Sequence, residues 1–110
     1  MHSNVWYLDH DNDVRWQLTD DDVALPDHTA ITRLVLELEH RGTTVTIDSV
    51  SETTFFDIQT GQIVMNPKLL STSTKNALAA GTHEARLIAI DASNPDGIVW
   101  IDGRSLKVIK

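Results

Sequence analysis

The chain has 110 residues, of which 41% are hydrophobic, and it contains no cysteine. This length fits a single domain spanning 1–110, held together by packing rather than by disulfides or zinc-thiolate sites. The formal net charge of −7 disfavours nucleic acid as a partner, because phosphate binding needs clustered lysine and arginine. No apolar run approaches the roughly 20 residues of a membrane helix, and the N-terminus shows no signal-peptide pattern. We therefore expect no membrane partner and a location in the cytoplasm.

The first distinctive stretch is an acidic run, LDHDNDVRWQLTDDD, at residues 8–22. Asp9, Asp11 and Asp13 alternate in the manner of calcium ligands, which favours a metal site. A calcium loop of the EF-hand type needs a glycine at its sixth position, however, and counting from Asp9 that position is Val14. The run therefore lacks the sharp turn of an EF-hand.

The residues after the acidic run favour a different interpretation, the tip of a β-hairpin. Apolar and polar residues alternate from 14 to 18, as in a half-buried strand. We predict strands at 4–8 and 14–18 joined by an acidic turn at 9–13, where Asp and Asn side chains bond nearby backbone N–H groups. The alternative is a weak calcium site with the ligands Asp9, Asp11 and Asp13, aided by an acidic residue from 20–22; no other cofactor is expected.

Further along the chain, alternation with a period of two predicts a series of half-buried strands. Gly42 and Gly61 mark the turns that separate the first four of them. The residues expected on the buried faces are Leu34, Leu36, Leu38, Val45, Ile47, Ile63, Met65, Ala85, Leu87, Ala89, Leu106 and Val108.

Between these strands, helix-forming residues predict one short helical crossing near 73–80, capped by Ser73 or Thr74 and ended by Gly81. The last thirty residues contain two turn signals, SNPDG at 93–97 and an Asp-Gly pair at 102–103. They predict a three-stranded meander with strands at 83–90, 97–101 and 104–109. The whole pattern predicts an all-β fold, an antiparallel β-sandwich or barrel of about 7–9 short strands.

The sequence offers little further chemistry. Nucleophile-elbow, phosphate-loop and dinucleotide motifs are absent, so we expect no catalytic residues and no enzyme. Trp6, Trp16 and Trp100 are expected in the core rather than in a sugar-binding platform. The histidines lack zinc-ligand spacing and are expected at the surface or in loops; they are His2, His10, His28, His40 and His83.

The two ends of the chain carry opposite charge. Six of the sixteen acidic residues lie in the first 22 positions, and three of the nine basic residues, Arg104, Lys107 and Lys110, lie in the last seven. Opposite charges steer association. A homo-oligomer formed head to tail is therefore an alternative to a solvated, asymmetric surface.

The order of segments VRWQL, ITRLVLEL, GQIVM and LAAGTHEARLIAIDASNPDGIVW resembles small immunoglobulin-like β-sandwich domains of tailed-phage and prophage structural proteins. The resemblance covers roughly 5–109 and rests on turn spacing and strand pattern. Gly81, Thr82 and His83 stand where Gly-x-Tyr is common in those domains, so His83 is a departure.

This resemblance implies a non-enzymatic virion structural or assembly protein of the tail, baseplate or head-tail region. Its partners would be other virion or assembly proteins, and its location would be the virion or the host cytoplasm. The alternative is a β-sandwich module that binds calcium or carbohydrate.

Overall fold

The computed structural model describes residues 5–8, 14–17, 31–59, 62–92 and 94–110. Within these ranges the chain forms eight strands, a 3-10 turn at Pro67–Leu69 and one short helix. The elements are β1 (Val5–Tyr7), β2 (Val14–Gln17), β3 (Ile31–His40), β4 (Thr43–Asp48), β5 (Phe56–Gln59), β6 (Gln62–Met65), α1 (Thr72–Ala77), β7 (Gly81–Asp91) and β8 (Ile98–Ile109). The all-β prediction is confirmed.

The strands form two sheets. The large sheet has the order β1-β8-β7-β3-β4, and the small sheet has the order β2-β6-β5. All neighbours are antiparallel except β1 and β8, which are parallel. The expectation of a wholly antiparallel fold is therefore wrong at β1.

The first strand also departs from the predicted hairpin. β1 pairs with β8, placing Trp6 opposite Val108, whereas β2 pairs with β6. The strands predicted at 4–8 and 14–18 exist, but they belong to different sheets, and the hairpin prediction is wrong. Alternation identifies which face of a strand is buried, and it carries no information about which strand lies beside it.

β3 and β7 lie at the centre of the large sheet and follow the predicted alternation. Leu36 of β3 lies opposite Leu87 of β7. Val45 is half-buried, and the other predicted inward residues are buried: Leu34, Leu36, Leu38, Ile47, Ile63, Met65, Ala85, Leu87, Ala89, Leu106 and Val108.

The two sheets share one hydrophobic core. Trp6 is fully buried and meets Phe55 edge to face, with 5.3 Å between ring centroids, a favoured aromatic geometry. The core placement predicted for Trp6 is confirmed. The side chains of Trp16 and Trp100 lie outside the described part of the chain.

The last strand is continuous where a hairpin was expected. Ala85 pairs with Arg104 and Leu87 with Ile101, so two residues, Asp102 and Gly103, oppose Arg86. This is a β-bulge, and Gly103 has a φ of 73°, a left-handed conformation that glycine adopts readily and that occurs in one type of bulge. The three-stranded meander is therefore wrong in its second turn. The first predicted turn lies between β7 and β8, where Gly97 N donates to Asn94 O at 3.0 Å.

The helical crossing predicted at 73–80 is present as α1, which begins earlier. Its cap is Ser71, whose Oγ accepts a hydrogen bond from Thr74 N. Buried Glu52 accepts hydrogen bonds from Ser71 N at 2.7 Å and from Thr74 Oγ1 at 3.0 Å, which ties α1 to the segment after β4. Across the described ranges, no helix is long and apolar enough to cross a membrane.

Candidate functional site

The edge of the large sheet at β4 is the first candidate surface. β4 is the last strand in the order β1-β8-β7-β3-β4, and β3 covers one of its two sides. The hairpin between them turns through Arg41 and Gly42, which have φ values of 51° and 81°. Two positive φ values in a two-residue loop define a type I′ turn, whose twist matches that of the strands.

This turn determines which backbone groups of β4 point outward. Residues that flank a two-residue turn exchange both backbone hydrogen bonds, and the pattern then alternates along the strand. Thr43, paired with His40, therefore directs its N–H and C=O toward β3. Thr44 and Thr46 direct theirs away from the sheet, as an added strand would require.

An ion pair holds the far end of this edge. The Arg33 guanidinium on β3 donates to both carboxylate oxygens of Asp48 on β4, with Nε at 3.0 Å from each. Asp48 Oδ1 also accepts from Val50 N at 3.0 Å. The hydrogen bond from Arg33 lowers the pKa of Asp48. Asp48 therefore stays ionised over the ordinary pH range and links β4 to β3.

The outer face of the large sheet is charged. Arg86 Nε donates to Asp102 Oδ1 at 3.1 Å, and Arg86 Nη1 lies 3.9 Å from Glu37 Oε1. Glu39 and Glu84, which lie directly opposite each other on β3 and β7, line the same shallow depression of about 180 Å³. Arg86 thus offsets part of a negative surface.

A pair of histidines closes the inner face near the β3–β4 turn. The rings of His40 and His83 stack with 4.7 Å between centroids. His40 Nδ1 lies 2.8 Å from Thr82 O, and His83 Nδ1 lies 3.1 Å from Gly81 O. A carbonyl can only accept, so each Nδ1 carries the proton and Nε2 is the nitrogen left for a ligand.

His83 corrects the prediction that every histidine lies at the surface or in a loop, because it is only 1% exposed. Burial lowers its pKa, and the neighbouring charge of His40 acts in the same direction. The signal for this is present in the sequence. His83 precedes Ala85 and Leu87 with the same parity on β7, so alternation places it inward.

The predicted calcium ligands Asp9, Asp11 and Asp13 lie outside the described residues, as does the predicted turn at 9–13, so the site stays a prediction. In the part of the chain that the structure describes, there is no group of three or more potential metal-ligating side chains. A melting temperature that is the same in calcium and in EDTA would exclude the site, because a ligand of the folded state stabilises it.

Comparison with protein-family models, with curated proteins and with solved structures finds no match to this chain.

Proposed function

We propose that the protein is a non-enzymatic structural or assembly component of a phage or prophage virion, acting through protein-protein contacts at the outer edge of β4, which pairs only with β3 among the described strands. The observation that carries the proposal is the outward direction of the backbone groups of Thr44 and Thr46, derived from the hairpin register. An extended segment of a neighbouring virion protein would add to this edge as a further strand. Main-chain hydrogen bonds would provide the affinity, and side chains would provide the specificity.

The fold supports this proposal at the level of architecture. Two sheets around one core match the layered arrangement of β-sandwich domains. We propose that the arrangement is of the immunoglobulin-like type, in keeping with the order of segments in the sequence. Such domains present edges and loops to their partners, and we propose the same use for β4. Head-to-tail association of copies through the oppositely charged ends stays a prediction.

The test uses two substitutions of one residue. Thr46→Pro removes an outward N–H, so it blocks an added strand while preserving the hydrogen bonds between β3 and β4. Thr46→Val changes the same side chain and keeps the N–H. Each variant is expressed in a lysogen that carries the gene, and its copy number in purified particles is measured by mass spectrometry.

We expect the unaltered chain and Thr46→Val in particles at a fixed copy number, and Thr46→Pro to be lost from them while remaining folded in the lysate. Equal incorporation of both variants would refute docking at β4. Absence of the unaltered chain from clean particles would refute a virion component, whatever the two variants do.

A further inference from the structure

Beside the histidine pair, on the inner side of the sheet, lies a half-open cavity of about 310 Å³. It is here called the Arg41 cavity. Its lining residues are His40, Arg41, Thr43, Val45, Ala77, Ala79 and His83. The volume is at the lower end of the range for small-molecule sites. The cavity is distinct from the outward backbone edge of β4 and does not depend on docking there.

The lining has an apolar wall and a polar end. Val45 comes from β4, whereas Ala77 and Ala79 come from the end of α1 and the residues after it. Both alanines are exposed, so this wall presents apolar surface that no larger side chain of the lining covers. Water against an apolar wall is readily displaced by a hydrocarbon group.

The polar end has the opposite charge to most of the molecule. The chain has a net charge of −7, yet the described residues that line the Arg41 cavity include an arginine and two histidines and none that is acidic. Arg41 stands at the turn of the β3–β4 hairpin and lines the cavity, and the planar fork of a guanidinium suits a carboxylate. His40 has its Nδ1 bonded to Thr82 O, so a neutral ring offers only an acceptor at Nε2, and the charged donor for a carboxylate is Arg41.

The acidic residues nearby limit the charge that a ligand can carry. Glu39 and Glu84 line an adjoining depression of about 500 Å³ that shares His40, Arg41 and His83 with the Arg41 cavity. A second carboxylate on a ligand would meet like charge there. The surroundings therefore favour a single negative charge.

We propose that the Arg41 cavity binds a small monocarboxylate with a short hydrocarbon chain. The carboxylate lies on the guanidinium of Arg41, with the Thr43 hydroxyl within the same polar end. The hydrocarbon chain lies against Val45, Ala77 and Ala79, and the buried ring of His83 forms part of the floor. This is a binding site, and no chemical step is attached to it.

The experiment measures binding of hexanoate to the full chain by NMR chemical-shift titration, with hexanamide as the neutral probe of the same shape. We expect saturable shifts that centre on the cavity residues, with an affinity in about the millimolar range for a ligand of this size. Hexanamide should bind at least about tenfold more weakly, because it lacks the charge that pairs with Arg41. Equal affinity for the two probes, or no saturable shift, would overturn the proposal.

Two variants test the two halves of the site. Arg41→Asn removes the guanidinium and creates Asn-Gly, the pair most favoured in a type I′ turn, so the hairpin is retained. Ala77→Leu fills the apolar wall with a good helix former. Lys107→Gln, at an exposed position of β8, is the control with the same change of charge outside the cavity.

We expect Arg41→Asn to weaken hexanoate binding about tenfold and to bring it close to that of hexanamide. Ala77→Leu should weaken both probes together, and Lys107→Gln should bind as the unaltered chain does. If Arg41→Asn and Lys107→Gln bind hexanoate equally, the assignment of Arg41 fails. If Ala77→Leu leaves both affinities unchanged, the apolar half of the site fails.

Discussion

β7 and β8 are neighbours of similar length, yet they differ in regularity. β7 keeps one alternation from Gly81 to Asp91, and its inward residues from His83 to Ala89 are buried. β8 is interrupted twice. Asp102 and Gly103 together oppose Arg86, and Trp100 is an extra residue between those that pair with Leu87 and Ile88.

The first interruption changes which side of β8 faces the core. Leu106 and Val108 are buried at even positions, whereas Ile101 is buried at an odd one. Without the extra residue, Asp102 would face the core in place of Ile101. An unpaired carboxylate there would cost several kcal/mol. The bulge therefore lets a polar residue sit inside a long strand without being buried.

The largest loss of stability is expected from a substitution in β7, the more regular of the two strands. Leu87→Ala on β7 removes a fully buried side chain and should lower the free energy of unfolding by about 2–5 kcal/mol, because of lost burial and the cavity left behind. Urea unfolding measures it. A loss below about 1 kcal/mol would show that the centre of the sheet can collapse around the gap.

Two glycines in or next to β8, Gly97 and Gly103, distinguish the cost of a strained backbone from the cost of a packing clash. Gly103 has a φ of 73°, and a Cβ added there would have no atom within 4 Å. Gly97 has a φ of 87°, and a Cβ added there would lie 2.5 Å from Ile88 Cγ2. Gly103→Ala should lower the free energy of unfolding by about 1–2 kcal/mol, because alanine is strained in the left-handed conformation. Gly97→Ala should lower the free energy of unfolding by about 1–3 kcal/mol more than that, because the added methyl group clashes with Ile88.

The matched pair is measured by the same unfolding experiment, with Gly42→Ala as a third left-handed position that also has nothing within 4 Å. Gly42→Ala and Gly103→Ala should agree with each other. If Gly97→Ala loses no more stability than these two variants, the methyl group at position 97 does not clash with Ile88 in the folded protein.

These strands also show how far the sequence predicts the fold. Alternation identifies the buried residues of β7, including Leu87, because a period of two depends on local geometry. The Asp-Gly pair at 102–103 predicts a hairpin where the chain forms a bulge, because a left-handed glycine suits both. Strand order has no local signal, which is why the neighbour predicted for β1 is wrong. The backbone edge at Thr44 and Thr46 depends on that order as well.

A smaller change in stability is expected at His83, which lies opposite Leu106 of β8. Burial lowers the pKa of His83, so at mildly acid pH the unfolded chain binds more protons than the folded one. Its contribution to stability is complete above the ordinary histidine pKa of about 6.5 and is lost as the pH falls through the lowered value.

We therefore expect the free energy of unfolding to decrease as the pH falls from about 7.5 to 5.5. His83→Gln should make this decrease smaller. Urea unfolding across this range measures both chains, and the histidines that do not contact His83 cancel in the difference, whereas the stacked His40 is part of the measured effect. An identical slope in His83→Gln would contradict a lowered pKa in the folded protein.

The smallest change in stability is expected from a substitution of Asp102 in the bulge. Asp102 is exposed, and its ion pair with Arg86 lies in solvent, where such pairs contribute little. Asp102→Asn should leave the melting temperature essentially unchanged. A large loss of stability would mean that the bulge needs the charge of Asp102 and not only the conformation of Gly103.

The parallel pairing of β1 with β8 has a consequence for folding. Val5 lies opposite Lys107, about one hundred residues later, so the loop that must close is nearly as long as the chain. Such distant contacts slow folding. During synthesis, at roughly 5–20 residues per second, β8 is completed several seconds or more after Trp6, so Trp6 lacks its neighbouring strand for that time. Until then, a large aromatic side chain destined for the core stays accessible to chaperones and to other nascent chains.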